Sequence, residues 1–314
     1  MNSIHKTNIS YLDNFIQKSE FDWIDYTKEV KISYFKSGGG THLYLIQNGT
    51  QKFLARINFF PGKNDWKVKR TEFEVLKEIE PLRISPKAFL LNEENELHQD
   101  FTIVEFIEGE NVLPFSDEDI ALLAHDFKKL HSFPHKFRIE EELPYKCSIF
   151  DEFANGDDKK IENYDFPEIE QVFEKYNSLK HMLGKWFNSL NIFDGCSHLC
   201  LCHGDLKSEN ILKTNTGVML IDWECAGIDI PETDIARLFS GCVFNKVQEE
   251  LFLQNYYDHM PNTEILERIS AVKIVLDFFR ILEDYCIHKR KRFEASKMLY
   301  EIIQIQTQLD ILKK

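Results

Sequence analysis

The chain has 314 residues, 43% of them hydrophobic, with 38 Lys and Arg against 52 Asp and Glu and a net charge of −14. Such an acidic surface repels polyanions and argues against nucleic acid as a partner, while it favours a cationic one; it also keeps a protein in solution. No apolar stretch follows Met1 as in a secretory leader, and none approaches the roughly 20 residues that span a bilayer, so a cytoplasmic protein with no membrane partner is expected.

In chain order, the first 30 residues predict a helix around Ile9 to Gln17. Residues 31 to 36 alternate as a strand, and Ser37-Gly38-Gly39-Gly40-Thr41-His42 separates them from a second strand, Leu43 to Gln47. Glycines at such a turn let backbone N–H groups approach phosphate oxygens with no Cβ in the way. Asn48-Gly49 signals a hairpin, and Lys52 to Ile57, containing Arg56, makes a third strand. Residues 66 to 79 read as a helix with Phe73, Leu76 and Ile79 on one face. Extended pieces follow at 86 to 92 and from Phe101 to Gly109, and Asn155 to Lys160 reads as an exposed loop. Beyond Phe239 the pattern is helical, rich in aromatics (Phe252, Tyr256, Tyr257, Phe278, Phe279, Tyr285) and with acids Asp277, Glu283 and Asp284.

The seven cysteines form no paired framework, as in a reducing compartment. Cys196, His198, Cys200 and Cys202 alternate and would share one face of a strand. Same-face neighbours lie about 7 Å apart, too far to converge on one tetrahedral ion, so small buried thiols are the expected reading.

The richest stretch is Cys202-His203-Gly204-Asp205-Leu206-Lys207-Ser208-Glu209-Asn210, followed after a turn at Thr214-Asn215-Thr216-Gly217 by the apolar run Val218 to Ile221 and Asp222. Phosphoryl transfer needs a carboxylate that orients the attacking hydroxyl and takes its proton, plus oxygen ligands for the Mg²⁺ that bridges nucleotide phosphates. Asp205 suits the first task, Asn210 and Asp222 the second. The order His, Asp, Asn, Asp is that of the protein-kinase catalytic loop and metal-binding Asp.

With those residues the chain resembles the aminoglycoside phosphotransferase and choline kinase-like family, over nearly everything from Lys31 onward. Gly204 stands where protein kinases carry Arg, Ile221-Asp222-Trp223-Glu224 replaces their Asp-Phe-Gly segment, and Asp234-Ile235-Ala236 supplies the family's later Asp-x-Ala. No Ala-Pro-Glu activation segment lies between Asp222 and Asp234, which argues against a protein kinase.

The resemblance implies an α+β, two-lobed kinase-like fold: a small antiparallel sheet with the nucleotide site over residues 1–106, and a mainly helical catalytic and acceptor lobe over 107–314. It implies ATP, with GTP as the alternative, and Mg²⁺ as cofactors, and a small-molecule acceptor such as an aminoglycoside, an amino alcohol or a related sugar. Gly38, Gly39, Gly40 and Thr41 would cradle phosphates. Arg56 would take the place of the phosphate-holding Lys, paired with Glu72, or Glu74 in reserve. Glu105, Phe106 and Ile107 would form the hinge that reads the base through backbone atoms. Lys207 would reach the transferred phosphate, and His203 and Asp234 would brace the loop. Two alternatives are a protein kinase and, because Arg replaces Lys at position 56, a nucleotide-binding pseudokinase.

Overall fold

The computed structural model describes residues 3–38, 40–58, 66–93, 95–97, 99–136, 167–190, 198–287 and 295–313. Gly39, Cys196 and the 155–160 loop lie outside them, as do the side chains of Glu283, Asp284 and Tyr285. The chain forms two compact units: Met1–Arg138 with Ser208–Ala226, and Ile139–Lys207 with Gly227–Lys314.

The first unit begins with helix α1 (Ser3–Lys18) and continues through strands β1 (Val30–Gly38), β2 (Thr41–Asn48) and β3 (Gln51–Asn58), helix α2 (Trp66–Ile79), and strands β4 (Ala88–Asn92) and β5 (Phe101–Glu105). These strands make one antiparallel sheet in the order β1-β2-β3-β5-β4. Gly49 takes φ +64° in the two-residue turn between β2 and β3, a conformation open to glycine at no steric cost. Strand alternation puts Tyr44, Ile46, Phe53, Ala55 and Ile57 on one face, where they pack with Leu12 and Ile16 of α1. Asn8, buried on α1, donates to the Tyr44 hydroxyl at 2.9 Å and satisfies the polar end of that ring. The opposite face carries Leu43, Leu54 and Arg56.

The same unit contains β6 (Glu110–Asn111), α3 (Asp117–His131), β8 (Ile211–Thr214) and β9 (Gly217–Leu220); β6, β8 and β9 form a small antiparallel sheet against α3. Helix α3 starts in a capping box, with Ser116 and Asp119 each accepting from the other's backbone N–H. Burial opposes charge on Asp119, but Lys213 at 2.6 Å and Ser116 outweigh it and hold its carboxyl below the usual range. Gly109 lies so close to β8 that a Cβ there would stand 2.7 Å from the Lys213 carbonyl oxygen.

The second unit is mainly helical. It holds α4 (Pro167–Ser189), α5 (Pro231–Gly241), α6 (Lys246–Tyr257), α7 (Thr263–Ile287) and α8 (Ala295–Leu312), and a two-stranded pair, β7 (Cys200–Cys202) with β10 (Gly227–Asp229). Helix α5 packs on α7, and α4 on α7 and α8, with Tyr176 stacked on Phe278 at 4.2 Å. The carboxylate of Asp277, on the aromatic helix α7, is engaged inside this unit: it accepts from Ser240 Oγ at 2.5 Å. Cys200 and Cys202 are both buried on β7 with their sulfurs 3.7 Å apart.

Candidate active site

A cavity of about 480 Å³ opens in the first unit under the β1-β2-β3 face. Into it converge Gly38 and Thr41 of the glycine turn, Arg56, Glu72, the segment Glu105, Phe106 and Ile107, and, from the segments flanking β8 and β9, Asn210 and Asp222. Gly40 adopts φ +81° at the turn but is not among the lining residues.

Arg56 on β3 is the centre of this arrangement. Its guanidinium donates to Glu72 on α2 through Nη1 and to Asp222 through Nη2, the latter at 2.7 Å. Glu74, the other candidate, is exposed. Burial disfavours charge on the Arg56 side chain, but the two carboxylates more than offset it and hold the guanidinium protonated. The planar fork of Arg serves two carboxylates at once, which a Lys ammonium does less well. Asp222 follows β9 with φ +69°, a left-handed conformation rare outside glycine but most tolerated by Asp and Asn. Its neighbour Ile221 donates its N–H to the Asn210 carbonyl at 2.9 Å, which ties the two candidate metal-ligating residues together. A carboxylate and a side-chain amide oxygen are hard donors of the kind Mg²⁺ prefers.

At the Glu105–Ile107 segment, the Glu105 N–H donates to the Lys87 carbonyl at 2.8 Å and the Phe106 N–H to the Lys52 carbonyl at 3.1 Å. Two of the three amides of this segment therefore bond within the first unit.

His203, Asp205, Lys207 and Asp234 belong to the second unit and form their own network. The Asp234 carboxylate, buried on α5, accepts from the backbone N–H of His203 at 2.7 Å and of Gly204 at 3.0 Å. Gly204 takes φ +82°, which sharpens the bend before Asp205. His203 is fully buried, and its Nδ1 accepts from the Asp205 N–H at 3.3 Å, which fixes the neutral tautomer with its proton on Nε2. Lys207 Nζ donates to the Asp205 carboxylate at 2.7 Å. Gly241, the last residue of α5, packs against this loop: a Cβ there would stand 2.1 Å from the Leu206 carbonyl oxygen.

Sequence reasoning did not find Phe35 and Lys36, which also line the cavity, nor Glu209 and Glu224 beside the metal candidates. The two glutamates are adjacent in sequence to Asn210 and two residues after Asp222, and that proximity was the available signal.

The fold is the two-lobed, α+β, kinase-like one. Residues 31–261 match the model of the phosphotransferase enzyme family, and the chain belongs to that family. It is thus a phosphotransferase. A LicA homolog of Mycoplasma capricolum subsp. capricolum is 24% identical over 245 residues, 77% of this chain and 87% of that protein. Among solved structures, a spectinomycin phosphotransferase in complex with ADP and spectinomycin superposes with a TM-score of 0.64 at 14% identity, with 97% of each chain covered. The choline kinase LicA of Streptococcus pneumoniae gives 0.60 at 19%, covering 95% of this chain and 99% of that one. No helix among the described residues is long and apolar enough to cross a membrane.

Proposed function

We propose that the protein is a Mg²⁺-dependent kinase that moves the γ-phosphate of ATP to the hydroxyl of a small cationic amino alcohol of the choline type. The observation that carries this reading is the Arg56 guanidinium, bonded at once to Glu72 and Asp222 on the wall of the cavity shared with Asn210. In this reading Arg56 neutralises the α- and β-phosphates, and Glu72 fixes its orientation. Asn210 and Asp222 would hold the metal, which when bound would supply positive charge beside the nucleotide phosphates. Gly38 and Thr41, which line the cavity, cover the phosphates, and Glu105, Phe106 and Ile107 border the base.

Asp205 orients the acceptor hydroxyl and takes its proton as the new O–P bond forms and the bond from the γ-phosphorus to the bridging oxygen breaks, with ADP as the leaving group. Lys207 meets the transferred phosphoryl group, and His203 and Asp234 keep the loop in shape. The nucleotide lobe then ends at Phe106, the acceptor lobe begins at Ile107, and the site of action is the cytoplasm. The resemblance to LicA, a choline kinase in Streptococcus pneumoniae, favours an amino alcohol; the net charge of −14 is consistent with a cationic acceptor. An aminoglycoside is the second reading, since a spectinomycin phosphotransferase shares the fold.

The test is phosphate transfer from labelled ATP and GTP, with Mg²⁺, to choline, ethanolamine, spectinomycin, other aminoglycosides and a generic protein, with Asp205→Asn as control. Transfer to choline or ethanolamine that needs Asp205 is the expected result. Transfer to the protein alone, or equal transfer by the variant, would remove the proposal.

A further inference from the structure

The β1 strand carries a bulge whose consequence reaches the cavity. Tyr34 pairs with Tyr44 and Lys36 with Leu43, so Phe35 between them has no partner in the register. Before the bulge, Ile32 packs on the α1 core and the Tyr34 ring lies tilted against His5 of α1, centroids 4.1 Å apart. After it, Ser37 bonds His42, whose ring meets His5 at 4.8 Å on that same face. Lys36 therefore faces the other way, and so does Phe35, which an unbroken strand would have set opposite to Lys36. The extra residue puts an aromatic ring and an ammonium side by side over the cavity, with Lys36 Nζ 5.8 Å from the Phe35 centroid.

Each has a matching feature nearby. Phe35 meets Phe106 edge to face at 5.5 Å, so the two rings bound one end of the cavity with apolar surface. Phe35 is 46% exposed, a large ring left partly in water. Lys36 is level with Leu43, and Leu43 is level with Arg56 in the next strand. At about 4.8 Å per strand, the Lys36 and Arg56 backbones stand roughly 10 Å apart on the same face, a span two long cationic side chains can close over a phosphate chain. Among the described residues no carboxylate pairs with Lys36, in contrast to Arg56.

We propose that Phe35 and Lys36 form a second grip on the nucleotide, with Phe35 packing the base against Phe106 and Lys36 binding the phosphates opposite Arg56. This rests on the nucleotide reading above and names residues that set affinity and selectivity within it. The grip divides the ligand into an aromatic part and an anionic part, each read by one residue of the bulge.

The experiment is calorimetric titration of the full chain and of Phe35→Ala, Phe35→Trp, Lys36→Ala and Lys36→Arg with ATP, adenosine and inorganic tripolyphosphate. Both positions are exposed, and melting curves alongside verify the fold of each variant. Lys36→Ala is expected to weaken ATP and tripolyphosphate about tenfold and leave adenosine unchanged, with Lys36→Arg restoring most of the loss. Phe35→Ala is expected to weaken ATP and adenosine about tenfold and leave tripolyphosphate unchanged, with Phe35→Trp restoring binding. Wild-type affinities in both alanine variants, or equal losses for all three ligands, would overturn the grip while the nucleotide reading stands. If the wild-type chain binds neither ATP nor tripolyphosphate, the nucleotide reading falls and the grip with it.

Discussion

Arg56 and Asp222 are bonded at 2.7 Å, although they are 166 residues apart in sequence. The same guanidinium bonds Glu72, whose side chain is almost entirely out of water. Removing the cation from a buried carboxylate costs more than the pair contributes, about 3–5 kcal/mol for a buried partner left alone. Arg56→Ala is therefore expected to lower the melting temperature by several degrees and to abolish detectable turnover. Adding Glu72→Gln should recover much of the stability and none of the activity. A single variant that melts like the wild type would show that Glu72 does not depend on Arg56.

Arg56→Lys separates charge from geometry. An ammonium is a point charge and cannot hold two carboxylates in the plane of one fork. The expected result is a KM for nucleotide raised about tenfold or more with the protein folded, measured by steady-state kinetics over a range of ATP at saturating Mg²⁺. Unchanged kinetics would mean that a positive charge alone suffices at this position.

The two key aspartates should fail in different ways. Asp205→Asn is expected to bind Mg-nucleotide like the wild type and lose turnover by orders of magnitude, because hydroxyl orientation and proton acceptance are removed. Asp222→Ala is expected to lose the Mg²⁺ dependence of nucleotide binding. Titration of ATP with and without Mg²⁺ distinguishes them, and Mg²⁺-dependent binding that survives in Asp222→Ala would exclude it as a ligand.

Asp229 on β10 predicts a pH dependence of stability. Burial is the main cause that pushes its carboxyl up to about 7, with the nearby Asp234 carboxylate adding to it, against opposition from the Ile230 N–H, Arg237 and Thr233. The folded chain then keeps this proton at pH values where the unfolded chain, ionising near pH 4, has lost it. Its contribution is fully present below about pH 4, declines as pH rises, and is gone above about pH 7. Asp229→Asn keeps an oxygen to accept the 2.8 Å bond from the Ile230 N–H and has no proton to lose. The difference in melting temperature, variant minus wild type, should grow by several degrees between pH 4.5 and pH 7.5. A difference independent of pH would show that Asp229 is ionised throughout.

Much of this was legible because it is written in local pattern. Alternation in residues 31 to 36 and 52 to 57, with the glycines between strands, located β1 to β3, and the apolar face of Phe73, Leu76 and Ile79 located α2, the helix that carries Glu72. The candidate catalytic stretch stood out because its spacing from His203 to Asp222 is short. What strand alternation could not foretell is the bulge: a period of two puts Phe35 and Lys36 on opposite faces, and one unpaired residue sets both on the cavity. Nor does sequence tell that the Glu105 and Phe106 amides are taken up by Lys87 and Lys52, since those partners depend on the order in which strands assemble.

Gly241 was equally silent in the sequence, and its role is one of space. It has no unusual backbone angle, yet a Cβ there would stand 2.1 Å from the Leu206 carbonyl oxygen and 3.0 Å from the Lys207 Cα. Both contacts are backbone, so neither can swing aside as a side chain tip would. The preceding residue is held in place as well: the Ser240 carbonyl accepts from Arg280 at 2.5 Å and its hydroxyl donates to Asp277 at the same distance. Helix α5 is thus anchored to α7, and the segment that must yield to a methyl group is the loop carrying Asp205 and Lys207. Gly241→Ala is expected to lower kcat at least tenfold with a moderate loss of melting temperature, while nucleotide affinity changes little. Adding Ser240→Ala, which frees that anchor, should return part of kcat. If Gly241→Ala turns over like the wild type, the close approach does not position the loop.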